Sequence, residues 1–149
     1  MKSCKILGII IVFLAIGTGF IFAEDSTHSG SLKIGDKHAG GIIFYLDGKG
    51  GGLAAAPEDQ GEYEWNEAKT VCQELSLNGY DDWFLPSKDE LNLIYENLHE
   101  KGLGGFTDYN YWSSSENNNN GVWFQKFVNG NQDFSVKYGY YMVRAVRAF

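Results

Sequence analysis

The apolar residues of this chain recur at strand spacing at both ends of its polar region and at helical spacing only in the middle. That order limits the folds open to it. Gly41 to Leu46 and Gly52 to Ala56 are short apolar runs separated by the turn-forming segment Asp47 to Gly51, which predicts a hairpin. Trp65, Ala68, Val71, Cys72 and Leu75 then follow helical spacing until Asn78-Gly79 stops them. A second helix opens at Ser87-Lys88-Asp89-Glu90, where Ser87 can cap and Glu90 can reach back. Leu91, Ile94, Tyr95 and Leu98 form its apolar stripe, and Gly102, Gly104 and Gly105 end it. Strand patterns return at Val122 to Val128 and Phe134 to Lys137, joined by the turn signal Asn129-Gly130, and again at Tyr141 to Phe149. Strands, two helices and strands again predict an α+β fold, with the helices packed on antiparallel sheets and the termini of the domain close together.

The first residues bear on compartment. Lys2 and Lys5 precede a charge-free run from Ile6 to Ala23, and Glu24-Asp25 begins the polar chain. This is the layout of a signal peptide over residues 1–23. A retained membrane anchor is the alternative, and either reading puts the rest of the chain outside the cytoplasm, in the periplasm, at the cell surface or secreted. Residues 24–33 read as a linker and 34–149 as one domain.

Charge and cysteine usage exclude several classes. All 19 acidic residues lie beyond residue 23, and the chain carries a net charge of −7. An acidic body repels polyanions, so no nucleic-acid partner is expected. Cys72 is the single cysteine of the domain, so an intramolecular disulfide is impossible and the fold must rest on its apolar core. Its helical position predicts a small buried hydrophobe.

Four motifs occur in sequence. Gly40-Gly41-Ile42-Ile43-Phe44-Tyr45 opens the domain, and Trp83-Phe84-Leu85-Pro86 leads into the capped helix. Tyr111-Trp112-Ser113-Ser114-Ser115-Glu116 follows the glycine-rich loop, and Val143-Arg144-Ala145-Val146-Arg147 closes the chain. In this order and spacing they resemble the Lcl C-terminal domain family over roughly residues 34–149. The resemblance implies a C-type-lectin-like fold related to the formylglycine-generating enzymes. It implies no activity, because the cysteine and copper chemistry of those enzymes has no counterpart in a lone helical cysteine. The sugar-binding signatures of animal C-type lectins are absent as well.

The motifs themselves read as structural. Trp83, Phe84 and Leu85 should fill the space between a sheet and the second helix. Arg144 and Arg147 fall on opposite sides of a strand, so one should point inward and need a carboxylate, with Glu116 as the expected partner. The adjacent acids Glu58-Asp59 and Asp81-Asp82 read as solvated loop residues.

Little in the sequence points to catalysis. His28, His38 and His99 lack metal-ligand neighbours, no serine sits in a nucleophile elbow, and Asp47 to Gly51 lacks the later ligands of a calcium loop. No metal, cofactor or catalytic residue is therefore expected. Seven of the 48 residues from 102 onward are Asn and five are Tyr. Asn, Tyr, Ser and Trp at loop tips give rigid aromatic area with adaptable hydrogen bonding, as binding surfaces use. The expected ligand surface comprises Asn117, Asn119, Trp123, Gln125, Asn131, Asp133, Tyr138 and Tyr140, with Trp123 and Gln125 on the outer side of their strand. The partner expected is an extracellular protein or glycan, with the membrane touched only through an uncleaved N-terminus. The same composition fits a ligand-binding protein diversified by a retroelement, as in some relatives of this fold. A structural envelope protein or an uncharacterised enzyme are the remaining classes.

Overall fold

A computed structural model describes residues 31–117 and 121–149. The N-terminal segment 1–23 and Asn119 lie outside the described residues, as does most of the linker. The elements are β1 (Lys37–His38), β2 (Gly41–Leu46), β3 (Gly52–Ala55), β4 (Gly61–Tyr63), α1 (Trp65–Gln73), α2 (Lys88–Asn97), β5 (Asn110–Glu116), β6 (Val122–Lys126), β7 (Gln132–Ser135), β8 (Tyr141–Val143) and β9 (Val146–Ala148). One sheet has the order β1-β2-β3-β9 and the other β4-β8-β5-β6-β7. All pairings are antiparallel except β5 with β8. The domain is thus α+β, and its first and last strands share one sheet.

Local chemistry explains most boundaries. The Ser87 hydroxyl accepts from the Glu90 N–H, and the Glu90 carboxylate accepts from the Ser87 N–H at 2.7 Å, so α2 begins on a complete capping box. After α1, Asn78 (φ 53°) turns the chain left-handed. The Asp47 carboxylate accepts the N–H groups of Lys49 and Gly51, which fixes the β2–β3 turn.

Two buried clusters flank the five-stranded sheet. The first joins Trp65, Ala68 and Cys72 of α1 to Trp83, Leu85, Trp112, Val122 and Phe124. The second joins Leu91 and Ile94 of α2 to Phe44, Tyr111, Phe127 and Val146. The segment Trp83-Phe84-Leu85 alternates between them. Trp83 and Leu85 enter the α1 cluster, not the space under α2, and only Phe84 packs against the α2 cluster. Phe84 also exchanges two backbone hydrogen bonds with Val146. Cys72 is fully buried as expected, and burial pushes its thiol from 9.0 up to about 12.

The C-terminal third departs from the sequence reading in two places. The expected single strand from Tyr141 to Phe149 is two strands in different sheets, because the chain crosses from one sheet to the other at Arg144-Ala145. The β6–β7 turn is longer than two residues. Lys126 N–H bonds to the Asn131 carbonyl at 2.8 Å, so residues 127–130 form the loop and Asn129-Gly130 are only its second half. Phe127 causes this by dropping into the α2 cluster at 1% exposure.

Candidate functional site

The two C-terminal arginines are both internal, and Glu116 partners neither. The Arg144 Nε donates to Asp59 Oδ1 at 2.6 Å, and its remaining nitrogens donate to the carbonyls of Ala56, Gly104 and Gly105. Its guanidinium lies 3.9 Å from the Phe106 ring centre. Asp59 also accepts from the Tyr111 hydroxyl, whose burial pushes it up to about 12. Arg147 makes a forked pair with Asp82 at 2.7 and 2.9 Å and lies over Tyr80. The guanidinium beside Asp82 holds that carboxyl below its usual range. Glu116 instead pairs with Lys137 at 2.6 Å, which likewise lowers its carboxyl. Asp59 and Asp82 are therefore structural counter-ions. Among the described residues every buried side-chain nitrogen and oxygen has a partner, and no cluster of three metal-binding side chains occurs.

The expected ligand residues divide into three groups. Gln125 does not face solvent. It is fully buried, donating to Asn92 Oδ1 and the Gly130 carbonyl and accepting from Gln132. The reason is α2, which covers the side of β6 that alternation assigned to solvent. Trp123 lies on that same side and is half-buried, with the Lys88 ammonium 3.6 Å from its ring centre and Phe134 edge-on at 5.8 Å.

A second group lies at the β6–β7 end of the domain. Asn131 is exposed, its N–H held by Asn129 Oδ1. Asp133 is exposed, and its carboxylate accepts the Phe134 N–H at 2.9 Å and pairs with Lys126 at 3.2 Å. The Phe134 N–H, together with the Lys126 ammonium, holds the Asp133 carboxyl below the usual range. Because β7 is an edge strand, this carboxylate occupies a backbone donor that another strand would otherwise use. Asn117 lies apart, at the other end of β6: it is half-buried, and its N–H closes the β5–β6 bend on the Gly121 carbonyl.

Tyr138 and Tyr140 form the third group. They are 77% and 61% exposed, and no ring contact among the described residues joins either to Trp123. Lys137, beside them, bonds through its carbonyl to the N–H of Trp65 at the start of α1. The seven described residues among the eight thus do not converge on one pocket. Sequence reasoning also missed Val128, Phe134 and Val136, at 65%, 53% and 64% exposure. In the sequence Phe134 and Val136 read simply as parts of a returning strand; Phe134 on the edge strand β7 and Val136 just beyond it are left uncovered.

No curated protein matches the chain. The profile of the Lcl C-terminal domain matches residues 37–147, which takes in β1 to β9 nearly whole and all four of the motifs above. The chain belongs to the Lcl C-terminal domain family.

Proposed function

We propose that this protein is an exported, non-catalytic binding or adhesion module of C-type-lectin-like fold, with an extracellular protein or glycan as its ligand. One observation carries the reading. Val128, Phe134, Val136, Tyr138 and Tyr140 are all more than half exposed and fall within the segment 128–140. Apolar and aromatic side chains concentrated in this way on a soluble surface mark contact with another molecule. The hydrogen-bonding side chains of Asn131 and Asp133 are interspersed with them, which matches the polar–aromatic mixture of binding surfaces. The segment is anchored at both ends, through Gly130 to Gln125 and through Lys137 to Trp65, so little order must be imposed on binding.

Export rests on the charge-free run Ile6 to Ala23 after two lysines. Mass spectrometry of the exported protein should find Glu24 as its first residue, whereas an intact Met1 in the membrane fraction establishes the anchor. The binding reading is tested on glycan and protein arrays with the purified protein and a Tyr138→Ser, Tyr140→Ser variant. A ligand retained equally by parent and variant refutes this surface.

A further inference from the structure

Two cavities of about 420 and 580 Å³ lie away from that surface, and Pro57 and Asn78 line both, so they meet as one cleft. No residue of segment 128–140 lines either. Val71, Leu75 and Leu77 give the larger cavity an apolar wall. Lys37 lines the smaller cavity and Glu58, next to the shared Pro57, the larger, so both signs of charge border the cleft. Both side chains are exposed, and neither forms an ion pair among the described residues.

The lip of the cleft is held in a costly shape. Ala39 (φ 50°) and Asn78 (φ 53°) are the non-glycine residues with positive φ among the described residues, and both line the smaller cavity. For Ala39 that conformation costs on the order of 1 kcal/mol. It is fixed from behind. The Arg147 guanidinium donates to the Ala39 carbonyl at 3.0 Å, and the Asn78 amide donates to the Gly40 carbonyl at 2.8 Å. Arg147 is itself clamped by Asp82. A lip fixed in this way beside an apolar wall has little freedom left to lose when a ligand binds.

We infer that this cleft binds a short peptide with free termini, its carboxylate at Lys37, its ammonium at Glu58 and an apolar side chain against Val71, Leu75 and Leu77. Charge complementarity selects this occupant. A ligand of single charge leaves one of these two side chains unmatched, and a purely apolar one leaves both.

Calorimetric titration of the purified chain with leucyl-alanyl-leucine tests the inference. Saturable binding is expected, weakened about threefold to fivefold by Lys37→Gln or by Glu58→Gln, the scale of one exposed ion pair. The N-acetylated, C-amidated peptide should bind about tenfold more weakly, since it loses both charges. The Tyr138→Ser, Tyr140→Ser variant should bind the peptide as the parent does, which separates this site from the surface proposed above. Absence of saturable binding up to about millimolar peptide overturns the inference. So does equal binding of the blocked peptide, or parental affinity in both charge variants with unchanged melting.

Discussion

Asp59→Ala should be among the most damaging single changes in the domain, although the residue sits in a loop beside the exposed Glu58. The Arg144 side chain has no solvent exposure, and the Asp59 carboxylate 2.6 Å away is its only counter-ion among the described residues. Breaking a buried ion pair by removing one partner costs about 3–5 kcal/mol, because the remaining charge is uncompensated. Three carbonyls would still solvate Arg144, and water could reach the vacated site, since Asp59 is 13% exposed. These features point to the lower end, about 3 kcal/mol. The Tyr111 hydroxyl also loses its acceptor, which adds about 1 kcal/mol. With a urea slope of about 2 kcal/mol per molar, the unfolding midpoint should fall by roughly 2 M.

Two companion variants isolate the cause. Glu58→Ala should shift stability by less than about 0.5 kcal/mol. Adding Arg144→Met to Asp59→Ala should recover part of the loss, since it removes the stranded charge. An Asp59→Ala shift no larger than that of Glu58→Ala would refute the reasoning, as would a double variant less stable than Asp59→Ala alone.

Trp83→Ala should cost about 3–5 kcal/mol in denaturant titration, because the ring is 2% exposed in the α1 cluster and its removal leaves a cavity. A change below about 1 kcal/mol would place Trp83 outside the core. Alkaline stability should decline in a defined window. Cys72 is raised from 9.0 and Tyr111 from 10.0, each to about 12, so the folded state holds both protons more tightly. Their contribution is complete below pH 9 and is lost as pH rises toward 12, which urea midpoints across that range will show. Cys72 should accordingly react with thiol reagents only at the rate at which the domain opens, and fast labelling of the native protein contradicts its burial. Tyr138→Ser with Tyr140→Ser should leave melting nearly unchanged, because both rings are exposed, while abolishing capture on the arrays.

The parts of the fold legible in the sequence are those specified by neighbours along the chain. The α2 cap, the stripe of α1 that buries Cys72 and the β2–β3 hairpin each depend on residues within a turn or two of one another. The arginine partners were not legible. Asp59 and Asp82 stand 85 and 65 positions from Arg144 and Arg147, and local composition carries no signal over such distances. Glu116 is nearer in sequence, but β5 directs it to Lys137. A weak cue did exist, since Asp82 immediately precedes the motif Trp83-Phe84-Leu85-Pro86 that packs beside β9.

The misplacement of Gln125 has a more general cause, and it bears on where a ligand can act. Alternation identifies an outer face only when one side of a sheet meets solvent. Between Val122 and Val128, Val122 and Phe124 are apolar on one side and Trp123 and Phe127 on the other, the pattern of a strand covered twice. The α1 cluster takes Val122 and Phe124, and the α2 cluster takes Phe127. Gln125 lies on the α2 side and is tolerated there because Asn92, Gln132 and the Gly130 carbonyl complete its hydrogen bonds. The broad faces of β6 are therefore committed to packing. Next to β6, exposed aromatic and apolar area falls on the edge strand β7 and the chain beyond it, as Phe134, Val136, Tyr138 and Tyr140 show. At this edge the Asp133 carboxylate already holds the Phe134 N–H. The partner proposed above would thus be offered side chains at β7 more readily than a free strand edge, which favours recognition by surface contact over strand addition.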